Sequence, residues 1–158
     1  MDEGDWRGLV DINATVIVPG TNKSIVVSGN YDYGWEDGVL VGANRVGGAQ
    51  WYGFAGYVKY IFANCPVMSK TPLLSKSHLG FRGEWFDDAD GARTGVDLDT
   101  GGANFMGLTT TFGYRPWDTV LVRVEHRYDK ADENVFEERG TVDANHQNTF
   151  AVDVIVSY

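Results

Sequence analysis

The sequence predicts an all-β chain: an antiparallel, up-and-down transmembrane β-barrel, or the C-terminal part of one, with about seven to eight strands. Three observations support this fold class. Apolar and polar residues alternate with a period of two along most of the chain. The alternating segments run for roughly ten to thirteen residues, whereas soluble strands average five or six and a tilted transmembrane strand needs about nine to eleven. Short and long connections also alternate between the segments.

The alternation divides the chain into seven candidate strands. They cover residues 6–18, 24–35, 50–62, 78–88, 104–115, 119–129 and 147–158. Because successive side chains of a strand point to opposite faces, each segment has one largely apolar face and one largely polar face. In a membrane barrel the apolar face meets lipid, so we expect Val16, Val27, Leu108 and Val122 to point outward.

The connections predict the orientation of the strands. Residues 19–23 and 115–118 form short turns, whereas residues 36–49, 88–103 and 130–146 form long polar or glycine-rich loops. Outer-membrane barrels have short periplasmic turns and long external loops. The 63–77 connection breaks this rule, since it is long on the short-turn side, and the sequence offers no reason for it. An eighth strand within residues 38–48 would have poor alternation.

The two ends of the chain do not fit a complete bacterial barrel. The first segment starts on the long-loop side and the last ends on the short-turn side, whereas such barrels have an even strand number. The chain opens without the basic start and apolar core of a signal peptide. We therefore expect residues 1–158 to form one β-barrel domain that lacks N-terminal strands.

Composition excludes several classes of protein. The formal net charge of −9 argues against a nucleic-acid partner, because phosphate binding needs a basic face. Cys65 is the only cysteine, so an internal disulfide is impossible. No apolar run in the sequence is long enough for a transmembrane helix.

Aromatic residues gather near the ends of the candidate strands. Amphipathic rings prefer the depth of the lipid headgroups, which gives membrane barrels two aromatic girdles. The predicted girdle residues are Trp6, Trp35, Trp85, Tyr114, Tyr128 and Tyr158. The alternative is that these rings form the core of a soluble sheet.

Charged residues on the polar faces are the best functional candidates. The predicted pore-lining, lumen-facing residues are Lys59, Arg82, Glu84, Arg123, Glu125, Arg127 and Asp153. A wall of mixed sign in a water-filled pore sets a transverse field and tunes ion selectivity. A salt-bridge network that holds the wall of the barrel is an equally good interpretation of the same residues.

The sequence predicts neither a metal site nor catalysis. One loop carries Asp87, Asp88, Asp90, Asp97 and Asp99, but it lacks the ligand spacing of a calcium loop, so a solvated loop is the better interpretation. A second acidic loop at residues 129–138 is interpreted in the same way. The histidines are His78, His126 and His146, and neither a Gly-x-Ser-x-Gly elbow nor a His-Glu-x-x-His motif occurs. No catalytic residue, metal or cofactor is predicted.

Three segments, at residues 82–95, 122–129 and 148–154, resemble in order the OmpL-like family of β-barrel porins. The resemblance extends over roughly residues 24–158, and the long 63–77 connection departs from the family. Members of the family are longer and carry signal peptides, which agrees with the expected loss of N-terminal strands. The resemblance implies an outer-membrane location and a pore architecture, but it does not indicate a solute.

The resemblance and the strand pattern together favour an outer-membrane, porin-like channel for passive diffusion of small solutes or ions. The alternatives are a non-transporting anchor or adhesin whose long loops bind a partner, and a soluble barrel with an apolar ligand. The expected partners are outer-membrane lipid, lipopolysaccharide and the barrel-assembly machinery, which would recognise the C-terminal strand ending at Tyr158. A homo-oligomer is left open.

Overall fold

The computed structural model describes residues 6–38, 40–41, 44–45, 47–95, 102–138 and 140–158. Within these residues the strands are β1 (Arg7–Ile17), β2 (Ile25–Asp37), β3 (Leu40–Val41), β4 (Asn44–Arg45), β5 (Gly48–Ile61), β6 (Ser77–Asp88), β7 (Ala103–Trp117), β8 (Val120–Ala131), β9 (Phe136–Glu138), β10 (Thr141–Ala144) and β11 (His146–Val156). The seven long strands form one antiparallel sheet in the order β1-β2-β5-β6-β7-β8-β11. Strands β3 and β4 form one small ladder, and β9 and β10 form another.

The prediction of an all-β, antiparallel, up-and-down sheet is confirmed, because each long strand pairs with the long strands before and after it in the chain. The predicted turn at residues 115–118 was placed too early. Strand β7 continues to Trp117, and the turn is formed by Asp118 and Thr119. Pro116 lies within a register irregularity of this strand, where a missing backbone N–H is tolerated. Between Gly38 and the start of β5 at Gly48, the strands that the structure describes are the two-residue β3 and β4, so no long eighth strand is described there.

The long 63–77 connection is folded into three 3₁₀ turns, Phe62–Asn64, Met68–Lys70 and Leu74–Lys76. Asn64 Nδ2 donates a hydrogen bond to Lys23 O in the β1–β2 turn, at 3.0 Å. Lys76 Nζ donates to Pro116 O at the end of β7, at 2.8 Å. These bonds fasten the connection to the β1–β2 turn and to the end of β7, so it lies across the short-turn end.

Among the described residues, no helix has the length and apolarity needed to cross a membrane.

The sheet is curled. Asn13 of β1 and Glu125 of β8 line one cavity of about 520 Å³. Five inter-strand spacings separate these two strands in the sheet order, which would be about 24 Å in a flat sheet. The polar face of the sheet is therefore concave, and we call it the charged face.

The opposite, convex face is apolar and largely exposed. Phe54 is 54% exposed, Leu108 63% and Val152 70%, although they lie in the middle of long strands. The four residues expected to point outward all lie on this apolar face. Residues that pair directly on neighbouring strands share a face, and the pairs are Val16↔Val27, Leu108↔Tyr128 and Val122↔Val154. On the charged face, by contrast, Ala49, Trp51 and Ala55 of β5 are buried. This arrangement is inverted relative to a water-soluble sheet, which buries its apolar face.

The curled sheet is not closed. In the part of the chain that the structure describes, β1 pairs only with β2 and β11 pairs only with β8. Both edge strands therefore present backbone N–H and C=O groups that have no partner strand.

Candidate pore face

All seven predicted pore-lining residues lie on the charged face. The strand register places Arg82 opposite Thr109 and Thr109 opposite Arg127, and it places Arg123 opposite Asp153. Lys59, Glu84 and Glu125 fall on the same face, because they stand an even number of residues from Tyr57, Arg82 and Arg123, respectively. The structure thus brings the seven residues together on one concave surface. That this surface lines a pore stays a prediction.

A cluster of four charged side chains crosses the middle of the charged face. Arg127 Nη2 lies 2.5 Å from Glu84 Oε1, and its Nε donates to Asp129 Oδ1 at 2.7 Å. Arg82 also pairs with Glu84. We call Arg82, Glu84, Arg127 and Asp129 the central cluster. Each arginine in it has a carboxylate partner, so the cluster is electrically compensated.

Gly107 of β7 allows the central cluster to form. Glu84 is on β6 and Arg127 is on β8, so their side chains must meet across β7. A Cβ atom added at Gly107 would lie 2.5 Å from Glu84 Oε1 and 2.8 Å from its Cγ. The missing side chain therefore leaves the space that the carboxylate of Glu84 occupies.

The central cluster extends to the neighbouring strands. The guanidinium of Arg82 lies over the ring of Tyr57 at 5.4 Å, a cation–π contact. The Tyr57 hydroxyl donates to Asn30 Oδ1 at 3.4 Å, and Gln147 Nε2 donates to Asp129 Oδ2 at 3.2 Å. Hydrogen bonds and ring contacts thus run from β2 across the charged face to β11.

A second ion pair lies nearer the short-turn end. Arg123 donates to Asp153 through Nε at 3.1 Å and Nη2 at 2.9 Å, a bidentate geometry. Both side chains are about two-fifths exposed, so the pair contributes little stability, about 0–1 kcal/mol. Glu125 accepts a hydrogen bond from Thr111 Oγ1 at 2.8 Å instead of pairing with an arginine.

Charge is segregated along the strand axis. Towards the long loops, a cavity of about 510 Å³ is lined by three carboxylates and two guanidinium groups: Asp32, Glu84, Asp129, Arg82 and Arg127. At the short-turn end, a cavity of about 440 Å³ is lined by four cationic side chains and one carboxylate: Lys59, Lys76, Arg115, Arg123 and Asp118. We call the second one the turn-side cavity. The charged face is therefore close to neutral around the central cluster, where Asp32 adds one carboxylate, and basic at the short-turn end.

The sequence-based list missed several residues of this face. Asp129 and Asp32 stand on the polar sides of their strands, so the period-two pattern could have included them. Arg115 follows the same pattern at the end of β7. Lys76 carried no such signal, because it lies in the third 3₁₀ turn and reaches the cavity only through the folded connection.

The predicted girdle residues that belong to strands lie on the apolar face. Trp35, Trp85 and Tyr128 are near the long-loop end, and Tyr114 is near the short-turn end. Trp85 packs against Tyr52 at 5.3 Å and Phe54 at 6.1 Å between ring centroids. Trp6 and Tyr158 flank β1 and β11 and are exposed. Their placement at the depth of lipid headgroups stays a prediction.

The first acidic loop is only partly solvated, which corrects one expectation. Asp88 is fully buried, and its Oδ2 accepts hydrogen bonds from the backbone N–H of Arg93 and Thr94, at 2.9 and 2.8 Å. Arg93 then lies over the ring of Trp51 at 4.9 Å. Asp88 is thus a structural residue of the loop. Asp97 and Asp99 lie outside the described residues.

The described residues contain no group of His, Cys, Asp or Glu side chains suited to a metal ion. The three histidines do not converge. His78 lies on the charged face over Gly113, whereas His126 packs against Phe150 on the apolar face, with ring centroids 4.5 Å apart and the planes tilted by 31°. His146 contacts Asn145 at the loop border, at 3.1 Å.

Comparison with known protein families identifies the family of the chain. The family model described as "putative beta-barrel porin-2, OmpL-like" matches residues 12–158. Neither the curated proteins nor the solved structures give a match. Because the family model covers nearly the whole chain, the chain belongs to the OmpL-like β-barrel porin-2 family and is a porin-like outer-membrane β-barrel protein.

Proposed function

We propose that the charged face lines a passive channel for small solutes or ions through the outer membrane. The observation that supports this most directly is the inverted sheet. A concave face holds the charged side chains, and a convex face exposes the middle of strands as apolar surface. Exposed apolar surface on this scale needs a lipid or protein covering.

In lipid, the open edges of the sheet would be costly. A backbone N–H or C=O group without a hydrogen-bond partner in the hydrocarbon region costs several kcal/mol of free energy, about as much as burying an isolated amide. Strands β1 and β11 both present such groups within the described structure. We therefore propose that both edges are paired in the membrane and that the seven strands form part of a closed barrel.

The central cluster gives the wall of this channel its electrostatic character. Glu84 is only 18% exposed, whereas the side chains of Arg82 and Arg127 are each 36% exposed. The carboxylate thus lies deeper than the two guanidinium groups that it holds. A permeating ion would meet cationic groups held in place on the wall, and such fixed groups set selectivity.

Single-channel conductance in planar bilayers tests this proposal, with protein purified from outer membranes. We expect stepwise conductance whose preference shifts towards cations when Arg82 and Arg123 are both changed to Gln. The Lys70→Gln variant is the control, because Lys70 is an exposed residue of the 3₁₀ connection outside the charged cavities. A folded, heat-modifiable barrel without conductance would contradict the channel.

That outcome would favour the second candidate, an anchor or adhesin whose loops bind a partner. The long-loop side supports this candidate, because it contains folded elements. Asp88 organises residues 89–95, and β9 and β10 form a hairpin that places Phe136 at the cavity of about 510 Å³ towards the long loops.

The remaining partners belong to the same proposal. Outer-membrane lipid and lipopolysaccharide would contact the apolar face, and the assembly machinery would recognise β11 with Tyr158. Homo-oligomerisation is a further proposal, and it does not affect the role of the charged face. The family and the separation of the histidines support a non-enzymatic role.

A further inference from the structure

We propose that the turn-side cavity binds small water-soluble oxyanions, molecules that carry a phosphate or carboxylate group. The cavity lies between the third 3₁₀ turn and the ends of β5, β6, β7 and β8. The proposal deepens the proposed function, since it makes the cavity an anion site on the channel wall. It depends on that function only for the route by which the anion arrives.

The lining of the turn-side cavity has a net positive charge. The chain as a whole carries a formal charge of −9, yet four cationic side chains and one carboxylate line this cavity. Asp153 neutralises Arg123 through its bidentate pair. Lys59, Lys76 and Arg115 then face Asp118 alone, so the cavity remains net positive against an acidic background.

The cationic side chains of the cavity keep N–H groups that can donate hydrogen bonds to a ligand. Within the described residues, neither Lys59 nor Arg115 forms an ion pair. Arg115 Nη1 donates to the backbone carbonyl of Asp118 at 2.9 Å, and Lys76 Nζ donates to that of Pro116 at 2.8 Å. An ammonium has three N–H donors and a guanidinium has five, so both residues keep donors for a ligand. Carbonyl partners hold these side chains in place without neutralising them.

The turn-side cavity is large enough for a small molecule. Gly113 on β7 stands opposite His78 on β6 and Arg123 on β8. A Cβ atom at Gly113 would collide with the His78 ring, so the imidazole lies directly over the backbone of β7. The ring fills the space that the glycine leaves, and it adds a hydrogen-bonding edge to the lining of the cavity. The volume of about 440 Å³ is in the range of small-molecule sites.

The 3₁₀ connection completes the site. Its residues Ala63, Ser75 and Lys76 form one wall of the cavity, and without its fold Ala63 and Ser75 would not be held together there. The bonds that fasten this segment to Lys23 O and Pro116 O hold the wall against the end of the sheet. The unusual length of this connection thus has a structural consequence, which is a basic pocket at the short-turn end.

Isothermal titration of the purified protein with inorganic phosphate, in a phosphate-free detergent at low salt, tests the site directly. We expect saturable binding that weakens as NaCl approaches 1 M, where the Debye length falls to about 3 Å. The Lys59→Gln variant should bind roughly fivefold more weakly, since it removes one of the three cations that face Asp118 alone and so lowers the net positive charge near the anion. The Lys70→Gln variant is the matched control, because it removes the same charge from the same end of the molecule outside the cavity.

A charge-preserving variant and a lipid ligand complete the binding experiment. Lys59→Arg should bind as the unaltered protein does, which separates lost charge from lost folding. Tighter binding of a short-chain phosphatidate than of inorganic phosphate would identify a lipid headgroup as the ligand and overturn the soluble oxyanion. Equal phosphate affinity for Lys59→Gln and Lys70→Gln, or no saturable binding at all, would also overturn the site. Phosphate binding by a protein that shows no conductance would leave this site standing while the channel fails.

Discussion

Gly107 offers the sharpest test of how the charged face is built. In most strands a Gly→Ala substitution is stabilising by roughly 0.5–1 kcal/mol, because glycine is costly in regular structure. At Gly107 the new methyl group would displace Glu84, whose Oε1 and Cγ lie 2.5 and 2.8 Å from the ideal Cβ position. The displaced carboxylate loses Arg127 and is left partly buried. We therefore expect Gly107→Ala to be net destabilising by about 1–2 kcal/mol, between the values for exposed and buried pairs.

Gly56→Ala is the matched control, because Gly56 lies on the apolar face of β5 and nothing stands within 4 Å of its ideal Cβ position. The two variants should differ by about 2 kcal/mol, which corresponds to roughly 4–8 °C in Tm for a chain of this size. Heat-modifiable mobility on gels measures that difference. In a Glu84→Ala background, the cost of Gly107→Ala should disappear, since the two side chains no longer compete. A Gly107→Ala variant that melts at or above Gly56→Ala would refute the reasoning.

Three further predictions follow from single contacts. Hydrogen bonds from the Tyr60 hydroxyl and from the backbone N–H groups of residues 67 and 68 lower the pKa of the Cys65 thiol. Maleimide labelling should therefore have its pH midpoint below the ordinary thiol value, and Tyr60→Phe should raise that midpoint; an unchanged midpoint would contradict the contact. Burial raises the pKa of Asp132, but the bonds from Asn104 N and Nδ2, at 2.8 and 2.9 Å, outweigh it and hold the pKa below its usual value. The contribution of Asp132 to loop stability is therefore present above its unfolded-state pKa and is lost as the pH falls through the lowered folded-state pKa. Proteolysis at the end of β8 should increase in that pH window. The Asp132→Ala variant should show no such increase. Finally, Leu108→Lys on the apolar face should destabilise the protein in a bilayer by about 2–4 kcal/mol and reduce the yield of folded protein. A new lysine on the exposed charged face should be tolerated. Equal yields for the two variants would argue that Leu108 does not face lipid.

Much of the fold could be predicted from the sequence, because period-two alternation is a local property. From Phe150 to Tyr158 every second residue is apolar, and β11 covers Val152 and Val154 as expected. The turn at Pro116 was misplaced by two residues, because proline is a turn signal that can also occupy an irregularity in a strand. For the same local reason, the sequence could place the seven candidate residues together on one face, whereas their role in lining a pore stays a prediction.

The partners of those residues could not be predicted. Glu84 meets Arg127 across β7 only because the register aligns Glu84 with Gly107 and Gly107 with Asp129. The sequence pattern sets which face a residue occupies, but it does not state which residue lies opposite. The burial of Asp88 depended in the same way on hydrogen bonds within its own folded loop.

The sequence by itself determined the all-β class, the strand segments and the division into an apolar and a charged face, because each depends on neighbouring residues along one strand. Only the tertiary structure decided how the charges are distributed: a compensated central cluster and a basic turn-side cavity. Those features depend on the strand register, the curl of the sheet and the folded 3₁₀ connection. All three arise from contacts between residues that are distant in the chain, and no local pattern encodes them.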